Sequence, residues 1–225
     1  ESCEGLTPDG AVFRVPASDD HPPALDVPEG TKNCVVYLTI PARRQGAQEV
    51  DMTGAELSAA RLRPSELEVT DTMGTGKKPA TLGVGKLRLQ FALEVDDLAD
   101  RLAIPIARII EMRPDNEIIL DQAFIASCTD LRASRPLESF RRELEGLIDH
   151  RATALAGRLS EGGTKGVAEI SDFLLLITVN RVLPVLRHLG HMANIRPWIF
   201  YREAAALAGE LASVMAPGKR AGQCP

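Results

Sequence analysis

Two histidines, His188 and His191, stand three residues apart near the end of a predicted helix, and this spacing can hold a metal ion. A zinc site needs several Cys, His or carboxylate ligands, but no Cys or carboxylate lies beside this pair in the sequence. The C-terminus of a helix also favours cations through the helix dipole. We therefore interpret the pair as favourable charges at a helix end, and we predict no metal site and no cofactor.

Two acidic pairs, Asp19-Asp20 and Asp96-Asp97, lie in predicted loops. General acid–base catalysis needs a pocket that shifts carboxyl pKa values, so we expect both pairs to be solvated. Gly83-Val84-Gly85 lacks the third glycine and the following helix of a dinucleotide-binding fingerprint. The sequence also lacks the GxSxG, P-loop and HExxH motifs. No catalytic residue is therefore predicted.

Asn180-Arg181 is the polar pair of most interest, because it ends an apolar run and should lie half inside a helical bundle. A buried Arg left unpaired costs about 3–5 kcal/mol. The pair either fixes the register between chains, as one polar residue does in a coiled coil, or forms an ion pair within the chain. The candidate partners within the chain are Glu169, Asp172, Glu203 and Glu210.

The stretch from Val167 to Leu189 must position this pair. Its centre, Phe173–Val179, is apolar at nearly every position, so we expect it to be packed on more than one flank. A buried strand would also explain this run, but apolar residues continue at helical spacing on both sides, which favours a helix. A bilayer-spanning helix would need ~20 apolar residues. The candidate interface residues are Phe173, Leu174, Leu175, Leu176, Asn180 and Arg181.

The composition indicates an ordinary globular protein, with 44% apolar and 25% charged residues among 225. A net charge of −5 and an aromatic content of 4% argue against a nucleic-acid partner, which would need a basic surface and stacking side chains. Four separated cysteines fit a reducing cytoplasm. No signal peptide or transmembrane run is present, so we expect no direct membrane insertion.

Residues 1–130 read as short strands separated by turns, which predicts a sandwich or open barrel. The alternation is strictest over Lys86–Glu94, where one face is apolar and the other polar. Residues 104–121 predict a hairpin around Pro114-Asp115-Asn116, and Pro105 indicates an edge or a bulge. The other predicted strands are Gly10–Val15, Asn33–Ile40 and Glu66–Asp71, and loops are predicted at 41–60 and 72–82.

Residues 131–225 change to a helical period. We expect the first helix to be capped by Ser134 and to end at Gly162-Gly163. The central helix should begin near Gly166 and bend at Pro184. The third helix should run from Pro197 to Pro217-Gly218. The predicted fold class is therefore α+β, an antiparallel β-sandwich over residues 1–130 followed by an antiparallel helical bundle over 131–225.

Six segments of the chain carry a resemblance. In chain order they read DGAVFRVPASDDHPPALDVPEG, VYLTIP, RIIEMRPDNEIILDQAFI, DLRAS, VAEISDFLLLITVNRVLP and FYREAAALAGELASV. Together they resemble TssK, the baseplate-subunit family of the bacterial type VI secretion system, across residues 9–215. The chain departs from the expected pattern at Ala126-Ser127, where a Pro-Pro is expected, and at Ile177, where a Gln is expected.

The resemblance implies a β-sandwich shoulder, a helical neck and a C-terminal head, assembled as a homotrimer. This chain would hold most of the shoulder and three neck helices, without the opening strands, the fourth neck helix and the head. It further implies a non-enzymatic cytoplasmic adaptor, docked at the inner-membrane secretion complex. Its implied partners are TssF and TssG of the baseplate wedge, and TssL and TssM through the head.

An apolar central helix agrees with self-assembly on physical grounds. Leaving a Leu-rich face in water costs several kcal/mol at ~25 cal/mol per Å² of apolar area, and copies around a threefold axis would cover it. We therefore expect Leu174, Leu175 and Leu176 not to be fully covered within one protomer. The alternative function is a β-sandwich ligand-binding or small-molecule enzyme domain with a helical extension.

Overall fold

The computed structural model describes residues 2–53, 58–70, 79–160 and 166–215, and the chain divides into two compact units between Ser127 and Cys128. The described part of the N-terminal unit contains eight strands, and all pairings between them are antiparallel. They are β1 (Cys3–Leu6), β2 (Val12–Val15), β3 (Lys32–Pro41), β4 (Leu62–Thr70), β5 (Pro79–Leu87), β6 (Gln90–Leu93), β7 (Arg101–Met112) and β8 (Ile118–Leu120).

The main sheet has the strand order β6-β3-β7-β8. β3 is rich in Val, Leu and Ile, and its alternate residues Cys34, Val36, Leu38 and Ile40 are buried. Two apolar clusters form on this sheet, one around Ile40 with Phe13 and Val15, the other around Ile109 with Leu93. Antiparallel sheets followed by packed helices agree with the predicted α+β class.

The hairpin predicted over residues 104–121 is formed by β7 and β8. Val36 pairs with Ala107 but Tyr37 pairs with Pro105, so one residue of β7, Ile106, is extra at this point. This is the bulge that Pro105 predicted, because proline cannot donate to the ladder. β8 pairs with β7 only over Ile109–Met112, so among the described strands Pro105 has a neighbour on the β3 side alone, as at a sheet edge.

The single strand predicted over Lys86–Glu94 is wrong. β5 ends at Leu87 in a two-stranded sheet with β4, and β6 begins at Gln90 in the main sheet. Arg88, which the alternation placed on the solvent face, is only 2% exposed. The chain passes from one sheet to the other here, so both faces are covered and a period of two no longer separates inside from outside.

Two loop predictions are met only in part. β4 begins at Leu62, four residues before the predicted Glu66, and residues 79–82 of the predicted 72–82 loop belong to β5. Within the predicted 41–60 loop, Val50 forms a parallel bridge with Leu62. The predicted loop Met73–Lys78 lies outside the described residues.

The described part of the C-terminal unit contains a 3-10 helix (Leu131–Ala133) and three α-helices: α1 (Arg135–Ser160), α2 (Val167–His191) and α3 (Pro197–Met215). α2 packs against both others, and the contacts run antiparallel. Arg158 near the end of α1 pairs with Asp172 near the start of α2, and Asp149 pairs with Arg187 further along. The core between them includes Ile148, Leu155, Val179, Val182, Leu186 and Leu207.

The starts of these helices lie where the sequence predicted them. Ser134 directly precedes α1, but its buried hydroxyl oxygen has no hydrogen-bond partner in the described structure, so the expected side-chain cap is not made. The predicted ends at Gly162-Gly163 and Pro217-Gly218 lie outside the described residues. No described helix has the length and apolar character needed to cross a membrane.

Candidate assembly surfaces

The apolar residues predicted as interface contacts divide into two pairs on α2. Phe173 is 55% exposed and Leu174 is 46% exposed. Leu175 and Leu176 are half-buried and pack against the core of the C-terminal unit. A helix has only one side toward its neighbours, so a fully apolar run must leave about half of its side chains outward.

The outward residues form a continuous surface, here called the α2 stripe, made of Ile170, Phe173, Leu174 and Ile177. They follow the i, i+3, i+4, i+7 spacing of one helix face, and their exposures range from 46% to 61%. Val167 extends the stripe and is 82% exposed. Monomeric proteins rarely leave a contiguous apolar patch of this kind uncovered, so the α2 stripe has the properties of an assembly surface.

The second half of α2 reverses this arrangement. From Thr178 onward most of its apolar residues are buried, namely Val179, Val182, Leu183, Leu186 and Leu189. Its outward face carries Asn180, Arg181, Arg187 and His188. The two halves of one helix therefore differ in what they show to solvent. The stripe ends where the polar face begins, which limits the candidate contact to about the first three turns.

Asn180 and Arg181 are both exposed and do not lie half inside the bundle as expected. The Arg181 guanidinium donates to Glu210 of α3, with Nη2–Oε1 at 2.5 Å and Nε–Oε2 at 3.2 Å. The structure thus shows an ion pair within the chain, and the role of the pair in fixing register between chains stays a prediction. Because both side chains are 41–46% exposed, the pair contributes little free energy.

Of the two acidic pairs, Asp20, Asp96 and Asp97 are exposed as expected, and only Asp19 is less solvated than expected. Asp19 is 5% exposed and accepts the backbone N–H groups of Arg14 and Leu87 and the hydroxyl of Ser18. Asp20 binds Lys86 at 2.7 Å. Asp96 accepts the N–H of Leu93. The carboxylate oxygens of Asp19 and Asp96 thus accept hydrogen bonds from backbone N–H groups. This is a structural role that sequence spacing does not reveal.

A buried polar network lies at one end of the main sheet. Arg61 is 3% exposed, donates to the carbonyl of Pro41 and pairs with Asp9. Arg88 lies 3.6 Å from Asp51. Hydrogen bonds from the side chain and the backbone N–H of Thr53 lower the pKa of Asp51 to about 2.

The same network lowers two other pKa values. The hydroxyl of Thr7 lowers the pKa of Asp9, and Arg61 adds to this effect. Burial, together with the charge of Arg88, lowers the pKa of Arg101, which donates to Thr39. Asp9 and Asp51 are held ionised beside cations, which suits ion pairing and not proton transfer at neutral pH.

His188 and His191 are both exposed at the end of α2. The Nδ1 atom of His191 lies 2.7 Å from the carbonyl oxygen of Arg187. In the described ranges no three side chains of His, Cys, Asp or Glu come together as a metal site would require. The interpretation of the pair as charges at a helix end is consistent with this position.

β4 and β5 form a second exposed surface, which sequence analysis missed. They pair over nine residues each, from Leu62↔Leu87 to Thr70↔Pro79. We call this two-stranded sheet the β4–β5 arm. The alternation of Leu67 and Val69 was visible in the sequence. The second strand was not predicted, because it contains Pro79, Gly83 and Gly85, and proline and glycine are uncommon in strands.

Residues 1–225 match the protein family described as Bacterial Type VI secretion, VC_A0110, EvfL, ImpJ, VasE. The type VI secretion system baseplate component TssK1 of Pseudomonas aeruginosa PAO1 is 36% identical over 224 residues, which is 100% of this chain and 50% of that protein. The chain thus spans about half the length of this curated relative.

Two solved structures are similar in fold to this chain over its whole length. A crystal structure of TssK superimposes with a TM-score of 0.91 at 30% identity, covering 100% of this chain and 51% of that one. A chain of a TssK-TssF-TssG baseplate subcomplex superimposes with a TM-score of 0.82 at 23% identity, covering 100% and 72%. At that identity the second likeness supports the fold alone.

Proposed function

The chain belongs to the bacterial type VI secretion family that includes VasE and ImpJ, and from this premise we propose that it is a non-enzymatic structural adaptor of the secretion baseplate. As proposed, it forms a homotrimer in the cytoplasm. TssF and TssG of the baseplate wedge are its proposed partners, together with TssL and TssM of the inner-membrane complex through a head domain beyond this chain. The relative named as a baseplate component supports this role, and the subcomplex whose chain shares this fold names the two wedge subunits that we propose as partners.

The observation that carries self-assembly is the α2 stripe. Its four apolar side chains are about half exposed, and they are aligned on one face of a helix whose other face is already packed. Copies of the same stripe around a threefold axis would remove this area from water, at ~25 cal/mol per Å². A closed ring also satisfies every copy equally, so assembly would stop at a defined size.

The alternative, a ligand-binding or small-molecule enzyme domain, finds less support. Asp9, Asp51 and Glu138 all have lowered pKa values, about 2 for Asp51 and Glu138. A general acid or base at neutral pH would need a value nearer 7. These carboxylates are each hydrogen-bonded to a neighbouring hydroxyl or guanidinium, which is an arrangement suited to stability.

Size-exclusion chromatography with light scattering tests the proposal. The unchanged protein is expected to have three times the mass of one chain. The variant I170E/F173E places two carboxylates in the α2 stripe and is expected to be monomeric. The control S139E/T153E adds the same charge at exposed positions of α1 and should keep the trimer. A monomeric unchanged protein, or a trimeric I170E/F173E, would contradict the proposal.

A further inference from the structure

The outward face of α2 keeps a seven-residue repeat beyond the α2 stripe. Ile170 and Ile177 of the stripe are followed at the same interval by Pro184 and His191, and all four are exposed. In helices that pack around one another, a repeat of seven residues stays on the side that faces the partner. We call these four residues the α2 line. It joins the apolar half of α2 to a histidine at the C-terminal end of the helix.

A threefold axis along the α2 line would bring three copies of each of its residues to the same height. Copies related by such an axis all point in one direction, because rotation about an axis parallel to the helices preserves their direction. Three Ile170 side chains would then form one layer and three Ile177 side chains the next. The last layer, at the end of α2, would consist of three copies of His191.

The arginines beside the α2 line are paired within their own chain. Arg181 pairs with Glu210 of α3. Arg187 pairs with Asp149 of α1, with Nη2 2.8 Å from Oδ1. Like charges that face one another across an interface oppose association. These ion pairs reduce that repulsion, so the C-terminal half of the α2 line can approach its copies.

The hydrogen bond of His191 prepares one ring nitrogen to bind a metal ion. Nδ1 lies 2.7 Å from the carbonyl oxygen of Arg187. A carbonyl oxygen only accepts hydrogen bonds, so Nδ1 carries the proton, and Nε2 of the neutral ring keeps a free lone pair. Histidines that ligate metals usually donate their other N–H to a carbonyl or a carboxylate, which fixes the tautomer and the ring orientation. His191 already has this second interaction in a single chain.

We propose that three copies of His191, one from each chain, bind a divalent transition-metal ion of the Zn²⁺ class through Nε2 at the axis of the assembly. Three imidazoles and a water molecule make a tetrahedral zinc site, and imidazole nitrogen suits Zn²⁺, Cu²⁺ and Ni²⁺. This inference rests on the proposed homotrimer. One chain supplies a single ligand on the α2 line, so the site is incomplete without the other two copies.

A chelate formed by His188 and His191 of one chain is the competing arrangement. The two residues are three positions apart on α2, and both are exposed. In the described ranges His188 has no hydrogen bond that would orient its ring. A site with two ligands from one chain also leaves half of a tetrahedral zinc shell to water. The two arrangements differ in stoichiometry and in their dependence on assembly.

Zinc binding to the purified, metal-free protein tests the inference, with Zn²⁺ alone as the probe and isothermal titration calorimetry as the measurement. The unchanged protein should bind one Zn²⁺ for every three chains. H191A should weaken this binding tenfold or more while light scattering shows the same assembly mass, because the α2 stripe is intact. The matched control H150A removes an exposed histidine of α1 and should bind within twofold of the unchanged protein.

Two further variants separate the trimer site from the chelate. H188A should bind Zn²⁺ within threefold of the unchanged protein, because His188 lies off the α2 line. I170E/F173E, which is expected to be monomeric, should lose the binding although its His191 is present. A chelate within one chain would give the opposite result for both variants.

The outcomes distinguish the inference from the proposed function. A trimer that binds no Zn²⁺, or whose H191A variant binds it as tightly as the unchanged protein, overturns the inference and leaves the proposed function standing. One Zn²⁺ per chain, lost in H188A and retained in I170E/F173E, overturns it in favour of the chelate. A monomeric unchanged protein overturns both the trimer and the site.

Discussion

At the scale of single residues, Arg141 is a buried cation of α1 that lies against α2. It is 5% exposed, and its guanidinium binds Glu138 through two nitrogens at 3.0 Å and Glu145 at 2.7 Å. α2 passes so close that an added Cβ on Gly190 would lie 2.8 Å from Arg141 Nη1. A buried cation is tolerated here because both carboxylates lie on its own helix at i−3 and i+4.

We expect Glu138 to make stability depend on pH. The hydrogen bonds of Arg141, and then those of Arg142, lower the pKa of Glu138 from 4.5 to about 2. Its contribution is therefore present above pH ~4.5 and is lost as the pH falls through about 2. E138Q should lower the free energy of unfolding by about 1–3 kcal/mol at pH 7. Denaturant titrations at pH 7 and pH 3 should show a smaller difference at pH 3; an unchanged difference would contradict this.

Gly190 gives a second prediction at this scale. G190V should destabilise the C-terminal unit by about 1–3 kcal/mol, because the added side chain displaces Arg141 from Glu138 and Glu145. Circular dichroism melting is the measurement. G157V is the control, since nothing lies within 4 Å of a Cβ at Gly157. It should leave stability unchanged or raise it by less than about 1 kcal/mol, because valine has a higher helix propensity than glycine.

At the scale of elements, α2 is one continuous helix whose two halves are packed differently. Its first half exposes the α2 stripe, while Val182, Leu183, Leu186 and Leu189 in its second half are at most 7% exposed. Only the second half contributes its apolar side chains fully to the core of one protomer. The apolar run Phe173–Val179 therefore lies at the edge of the core of one protomer, with only some of its side chains packed inward.

This difference predicts unequal effects of the same substitution. L186A should lower the free energy of unfolding by about 2–5 kcal/mol, because Leu186 is 0% exposed. L174A should cost less than about 1 kcal/mol at protein concentrations where the assembly is dissociated, because Leu174 is 46% exposed. Denaturant titration measures both, and equal costs would show that Leu174 is buried in the protomer.

At the scale of the whole molecule, the chain has two compact units, each with its own core, and each has an uncovered apolar surface. The α2 stripe belongs to the C-terminal unit, and the exposed Leu67 and Leu82 of the β4–β5 arm belong to the N-terminal unit. The proposed adaptor role would need more than one contact surface, and these two differ in chemistry. The stripe is apolar, whereas Arg63 and Lys86 pair across the base of the arm.

Self-assembly predicts a melting temperature that depends on protein concentration. Association stabilises the folded state by mass action, so the melting temperature of the unchanged protein should rise between micromolar and hundred-micromolar concentrations. I170E/F173E should melt at one temperature throughout this range. Differential scanning calorimetry measures both, and a concentration-independent unchanged protein would argue against assembly.

The sequence by itself determined the features that depend on near neighbours. Three features follow from residue propensities within a few positions: the strand predicted at Asn33–Ile40, the turn at Pro114-Asp115-Asn116, and the starts of α2 and α3. The antiparallel class followed from the same local patterns.

Only the tertiary structure decided which faces are covered. It divided Lys86–Glu94 between two sheets, paired Arg181 with Glu210 and turned Phe173 outward while Leu175 faced the core. Each of these depends on which distant elements meet, and an apolar run with no polar face gives no period from which its buried side could be read.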